Sequence, residues 1–227
     1  MHALQAKSHG WDEGSKLADA LFSHFAHDYQ EVRKAVCETL VEWEWTWLRP
    51  SLKSVPELLA HSRSAHGSLL AHSDVMRQRC EALQSQLRSW RAQRQPLAYG
   101  TSKYDVVAST GALWVCLCLD DHRLGPMSTY VLSLVPDLFE AFQLRDNEEL
   151  SETAHDVLVQ VASHPFSVAQ VPVLLEALLD ILRRSESWHS RLDALPLLQI
   201  VYFQNLYLLS HDMKRCILDV LLSLIHI

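Results

Sequence analysis

Residues 187–210 constrain the fold more than any other part of this 227-residue chain. The segment opens with a serine and a tryptophan and then carries apolar side chains around nearly the whole circumference of a helix. A helix that is hydrophobic on all sides must be covered by neighbours in more than one direction. We therefore predict an inner helix of a stacked helical array. Its apolar residues are Leu195, Leu197, Leu198, Ile200, Val201, Tyr202, Phe203, Leu206, Leu208 and Leu209.

The remainder of the chain has the composition of an all-α protein. Apolar residues make up 48% of the sequence, enough for a core, and only six glycines and eight prolines interrupt it. Segments of about 12–20 residues with apolar side chains at helical spacing alternate with short turns. One helix pair in about 40 residues is the spacing of HEAT-type or armadillo-type repeats. We predict an all-α helical solenoid segment, with a compact helical bundle as the alternative.

Three regions follow from the spacing of apolar residues and turns. We predict a helical repeat pair over residues 1–49, ending where Arg49 precedes Pro50. Residues 50–100 form a polar, partly helical insertion or linker, and residues 101–227 form HEAT-like repeats truncated at the C-terminus. The predicted helices of this last region cover residues 104–119, 127–144 with a break or kink at Pro136, 150–162, 167–184 and the final apolar run. Ala108 and Gly111 would let a neighbouring helix approach closely.

The polar region 50–100 contains one clear amphipathic pattern. Ser73 can cap a helix whose apolar positions, spaced by four and three, suit a single neighbour. These positions are Met76, Cys80, Leu83, Leu87 and Trp90. The arginines and glutamines between them form a locally basic face, which we interpret as a solvated surface, with an acidic partner as the alternative.

Charge and cysteine content exclude several classes of protein. The formal net charge of −7 gives no general attraction to nucleic acid or to an anionic membrane. Residues 192–209 come nearest to a membrane span, but polar residues and Pro196 interrupt them. Five scattered cysteines favour reduced thiols over a disulfide framework. We predict a soluble intracellular protein that binds neither nucleic acid nor membrane directly.

We find no catalytic or metal-binding pattern. His24 and His27 share a predicted helix face but lack further ligands at a recognisable spacing, and Cys116 and Cys118 would diverge on a helix. Sequence patterns of nucleophilic elbows, phosphate loops and zinc proteases do not occur. The tryptophans of residues 43–47 are interpreted as core packing, with an aromatic platform as the alternative. We predict a scaffold or binding module, without cofactor, metal or enzymatic activity.

The order of side chains in residues 187–206 resembles a known family. The chain reads Ser187-Trp188-His189-x-Arg191, then Leu195, Leu198-Gln199, Phe203 and Asn205-Leu206. This order is similar to the C-terminal region of the proteasome activator complex subunit 4 family, giant HEAT-repeat proteins that cap the proteasome core particle. The run Gln170-Val171-Pro172, with Leu175 and Leu178, resembles the preceding helix of that family. Weaker similarity extends, in the same order, through residues 132–158 to residues 28–33.

We interpret these motif residues as structural. Trp188 and His189 would begin a helix, Arg191 would reach carbonyls or a carboxylate of the preceding helix, and Phe203 and Leu206 would lie in the core. Asn205 needs a hydrogen-bond partner if it is buried. Pro196 departs from the family and would kink the helix or stand in its first turn.

The resemblance implies a function for a longer parent protein. That protein would activate ATP-independent peptide degradation by the proteasome core particle, in the nucleus and the cytoplasm, and would bind acetylated histones in DNA repair and spermatogenesis. Neither the acetyl-lysine-binding pair of the family nor its tyrosine-bearing C-terminal tail has a counterpart in this sequence. An unrelated adaptor or transport scaffold of the same repeat type is the alternative.

Both ends of the sequence suggest a fragment. The final helix, with Met213, Cys216, Ile217, Val220 and Leu221, lacks a cap and a polar ending. Residues 223–227 resemble translated sequencing adapter, and Met1 would be an internal methionine. We expect this fragment to be poorly soluble by itself, because the terminal repeats of a solenoid need polar outer faces.

Overall fold

The computed structural model describes residues 16–52, 55–95, 101–121, 125–166, 170–185 and 187–225. For residues 44–52, 55–73, 125–129 and 225 it describes the backbone alone, so the alternative of an aromatic platform at residues 43–47 lies largely outside the described side chains. The chain divides into two compact units, Met1–Leu117 and Cys118–Ile227. Within the described ranges helices predominate and no strand occurs, which confirms the all-α prediction.

Four helices lie in the described part of the first unit. Residues 16–23 form α1, which continues into a 3₁₀ turn at His24–Ala26. The next helices are α2 (Gln30–Leu52), α3 (Val55–Gln93) and α4 (Lys103–Asp120), whose last three residues belong to the second unit. Helix α2 runs past the end predicted at Arg49, with Pro50 in its last turn. A proline disfavours the helical conformation of the residue before it, but the long preceding part of α2 keeps Arg49 helical.

Helix α3 corrects the prediction for residues 55–93. A polar, partly helical region with a helix capped by Ser73 was expected, but a single helix spans residues 55–93. After Pro56 the sequence contains no proline and a single glycine, Gly67, so no strong helix breaker ends the helix at the polar residues. Four residues of the predicted apolar stripe, Met76, Cys80, Leu83 and Leu87, are buried, and the fifth, Trp90, is half-buried.

Several arginines of α3 pair with carboxylates of the same unit. Arg77 contacts Asp74 at 2.7 Å, and Arg79 forms an ion pair with Asp19 of α1. Beyond the helix end, Arg94 pairs with Asp105 of α4 at 2.7 Å, and both side chains are nearly inaccessible. The basic character of this segment is therefore partly neutralised inside the unit.

Helix α4 supplies the centre of the first unit. Its Trp114 is fully buried and lies edge-on to the rings of Phe22 and Phe25, with centroid distances of 5.2 and 5.8 Å. The hydroxyl of the buried Thr110 lies 3.0 Å from the carbonyl oxygen of Phe25 and 2.8 Å from that of Val106. Its single proton can be donated to only one of these at a time.

The second unit is arranged around its most apolar helix. A 3₁₀ helix (Gly125–Leu134) precedes α5 (Val135–Phe142), and α6 (Glu148–Ser163), α7 (Gln170–Arg184), α8 (Trp188–Gln204) and α9 (His211–Ile225) follow. Pro136 stands in the first turn of α5, so it breaks the predicted helix 127–144 as expected. Helix α6 corresponds to the helix predicted over residues 150–162, and its apolar residues Leu150, Ala154, Val157, Leu158 and Val161 are buried. Helix α7 contacts the 3₁₀ helix, α5, α8 and α9.

The prediction that α8 is the inner helix is wrong for the described chain. Only Ser190, Ala194, Leu197, Leu198 and Val201 of this helix are buried, and Phe203 is 65% exposed. Helix α8 also begins at Trp188 and runs through Pro196, which excludes a start after the proline. None of the helices in the described ranges combines the length and the apolar composition needed to cross a bilayer.

The expectation of a close approach at Gly111 is also wrong. A Cβ atom added to this residue would have no heavy atom of a neighbour within 4 Å. We expect Gly111→Ala to stabilise the chain by about 0.5–1 kcal/mol, because alanine favours the helix and fills open space. Urea unfolding of the two proteins measures the difference. A loss of stability would show that a neighbouring group comes closer to α4 than described.

The thiol of Cys37 makes stability depend on pH. Burial of this side chain, and to a lesser extent the nearby Glu38, raise its pKa to about 12 against the lowering effect of Arg33. The folded state therefore keeps the proton, whereas the unfolded chain loses it above about pH 9, so this contribution to stability is present below pH 9 and lost as pH rises toward 12.

Between pH 7.5 and pH 10 we expect this thiol to remove about 1 kcal/mol from the free energy of unfolding. Urea titrations at both pH values should show a smaller decline for Cys37→Ala than for the parent chain. The matched control is Cys216→Ala, which removes a partly exposed thiol. Equal declines in the parent and in Cys37→Ala would contradict the assignment.

Candidate functional site

Four residues of the family-like motif hold the ends and core of α8. Ser187 caps the helix, because its hydroxyl oxygen accepts a hydrogen bond from the backbone N–H of Ser190 at 3.3 Å. Arg191 Nε donates to the carbonyl oxygen of Ser185 at 2.8 Å, which ties the first turn to the loop after α7. Leu198 is buried. These contacts explain why a serine, an arginine and a leucine occupy the three positions.

Asn205 lies at the C-terminal end of α8 and forms the hydrogen bond that a buried polar side chain requires. The side chain is buried, and its Nδ2 donates to the carbonyl oxygen of Val201 at 2.9 Å. The backbone N–H of Asn205 donates to the same carbonyl at 3.2 Å, so backbone and side chain together close the last turn of α8. The requirement that Asn205 find a hydrogen-bond partner is therefore met locally.

Trp188 and His189 lie at the surface. Their ring centroids are 3.7 Å apart, and the indole of Trp188 is 61% exposed. Phe203 is likewise exposed and Leu206 is only half-buried, so the prediction that these two residues belong to the core is wrong for the described chain. The described helices do not bury the rings of Trp188 and Phe203, so these rings contribute little hydrophobic stabilisation.

An apolar groove runs between α8 and α9. It encloses about 430 Å³, and apolar side chains form most of its walls. Three motif residues, Leu198, Gln199 and Phe203, line it from α8. The other lining residues are Leu195, Tyr202, Lys214, Ile217, Leu218 and Leu221. The groove is the candidate functional site, since it is the place where motif residues and exposed apolar surface coincide.

Sequence reasoning found only half of this groove. The motif indicates the α8 wall, whereas Leu221 was named only as part of the final helix and Leu218 was not named at all. The missing signal was the second apolar stripe of α9, which carries Leu218 and Leu222 outside the buried positions Ile217 and Val220. A helix with apolar residues on two faces needs a second neighbour.

The described residues offer no site for metal chemistry. No group of three His, Cys, Asp or Glu side chains within those ranges lies close enough to hold an ion. His24 and His27 have ring centroids 5.9 Å apart, but His27 Nδ1 already accepts a hydrogen bond from the backbone N–H of Tyr29 at 3.2 Å. What α8 and α9 offer chemically is apolar surface for association.

The two faces of α8 should respond differently to truncation. We expect Leu198→Ala to cost about 2–5 kcal/mol, because it leaves a cavity in the core. Phe203→Ala, on the exposed face, should cost less than about 1 kcal/mol. Urea unfolding measures both. A cost for Phe203→Ala as large as that for Leu198→Ala would show that this ring is buried in solution.

The groove should also govern solubility. Replacing Phe203 and Leu218 by glutamine (Phe203→Gln, Leu218→Gln) removes two large exposed apolar side chains, so we expect less self-association at equal concentration. Sedimentation velocity measures it. The matched control is Tyr29→Gln with Leu17→Gln, which removes two exposed apolar side chains of the first unit. An equal effect of both double variants would mean that the groove has no special role.

Comparison with family models, curated proteins and solved structures finds no significant match to this chain.

Proposed function

We propose that this chain is a segment of a helical-repeat proteasome activator, in which it serves as scaffold rather than as enzyme. The parent protein caps the proteasome core particle and promotes peptide degradation without ATP. Acetylated histones are a further proposed partner of the parent, which would act in the nucleus and the cytoplasm. The order of residues from Ser187 to Leu206 supports this proposal, together with the helical architecture.

The pattern of helix contacts in the second unit is the observation that carries the repeat assignment. Helix α5 contacts α6 and α7, and α8 contacts α7, α6 and α5. Helix α7 in turn contacts α9. This pattern is what two stacked layers produce, with α5, α7 and α9 in one layer and α6 and α8 in the other. Each pair then contacts only the pairs next to it, as in a helical solenoid.

The same pattern assigns an occupant to the apolar groove. Helix α8 lies against α7, its partner within a pair, and against α6, its neighbour in the layer. The next helix of the second layer would lie against α9 and α8 in the same way, and the groove between those two helices is apolar and uncovered. We therefore infer that a following helix of the parent protein packs on Tyr202, Phe203 and Leu218.

Cysteine labelling tests the repeat assignment directly. Phe203→Cys should react quickly with a maleimide in the present chain and slowly in a longer chain extended along the native message. The control is Glu152→Cys on the exposed side of α6, which should react at the same rate in both. Peptide mapping separates these sites from the native cysteines. Equal reactivity of Phe203→Cys in the two chains would overturn the assignment of a following helix.

Proteasome stimulation tests the activity of the parent. The extended protein should bind the purified core particle at low salt and accelerate hydrolysis of a fluorogenic peptide without ATP. A version ending at Leu224 is the matched control and should not stimulate, because the family tail that enters the core particle lies beyond it. Protection of Phe203→Cys without core-particle binding would favour the adaptor or transport scaffold.

A further inference from the structure

A separate cavity lies in the first unit, away from the helices that carry the family-like motif. It is a half-open cavity of about 350 Å³ between α1 with its 3₁₀ turn, α3 and α4. Small-molecule sites in proteins span about 300–1,000 Å³. Its buried apolar lining consists of Phe25, Leu83 and Val107, so it can receive the apolar body of a ligand.

One wall of this cavity carries an exposed cation. Lys103 Nζ lies 4.5 Å from the ring centroid of Trp90, a cation–π contact that holds the ammonium beside the cavity. Among the described residues no carboxylate forms an ion pair with it. Because the side chain is exposed, a ligand in the cavity can reach its charge.

A second cation lines the cavity but is only partly satisfied. The guanidinium of Arg79 forms an ion pair with Asp19 through Nη2, while its buried Nε finds no hydrogen-bond acceptor in the described structure. Two cations thus face one carboxylate along the cavity wall. The excess of one positive charge next to apolar surface selects a singly charged anion with an apolar body.

We propose that this cavity binds a small carboxylate with an apolar body, such as a medium-chain fatty acid, with its charged group at Lys103. A water-sized group occupies about 30 Å³, so the cavity accommodates roughly a dozen non-hydrogen atoms. Decanoate has this size. The site is independent of the proposed proteasome function, because it uses none of the residues of α8 or α9.

Equilibrium dialysis with radiolabelled decanoate tests the proposal. The complete chain is used with Phe203→Gln and Leu218→Gln, so that the α8–α9 groove does not bind the probe. We expect saturable binding with a Kd of about 0.1–1 mM. Lys103→Gln should raise the Kd about fivefold, the effect of losing a partly exposed charge pair.

Two variants in the same unit separate charge from shape. Ala82→Phe places a ring in the cavity from an exposed position of α3 and should remove saturable binding. The control Lys34→Gln removes an exposed lysine that pairs with Glu38 and should leave the Kd unchanged. Uncharged decanol should bind with the same Kd to the Lys103→Gln variant and to its parent. Far-UV circular dichroism verifies that each variant is folded.

Three results would overturn the proposal. The first is a folded chain without saturable decanoate binding. The second is the same Kd in Lys103→Gln, Ala82→Phe and Lys34→Gln, which would place the ligand elsewhere. The third is displacement of decanoate by millimolar inorganic phosphate, which would make the cavity a general anion site without a role for its apolar lining.

Discussion

Burial of α7 is the constraint on which the second unit depends. Nine of its fifteen residues are buried, too many for one face of a helix, so neighbours must cover it from several directions. The 3₁₀ helix, α5, α8 and α9 do so. Each large apolar side chain removed from water contributes about 1.5–3 kcal/mol, which makes α7 the main source of stability around it. Because α7 takes the inner position, α8 keeps an outer face.

The distribution of polar residues explains why α7 and not α8 is the inner helix. The exposed positions Pro172, Glu176 and Arg183 of α7 follow one another at helical spacing and form a narrow stripe, leaving the rest of the circumference apolar. In α8 the polar residues Asp193, Gln199 and Gln204 are scattered among the apolar ones. The number of apolar residues does not indicate which of the two helices is the inner one, whereas the width of the polar stripe does.

Polar contacts play a larger part in the first unit. Cys37 Sγ donates to the carbonyl oxygen of Thr110 at 3.7 Å, and the Thr110 hydroxyl connects α4 to the turn at Phe25. The two residues of each hydrogen bond lie more than 70 positions apart in the sequence, so no local sequence pattern predicts these contacts. The cavity beside Lys103 has the same origin, since residues of α1, α3 and α4 create it only by packing together.

The sequence by itself determined the helical class, the buried stripes of α3 and α6, the break at Pro136 and the hydrogen-bond requirement of Asn205. Each of these follows from local periodicity or from the chemistry of one residue, which act over a few turns of helix. The tertiary structure alone decided that α8 keeps an outer face and that Phe203 lines an open groove. Those outcomes depend on which helices pack against the same apolar surface. The residues that make these packing contacts lie far apart in the chain, so local sequence does not determine them.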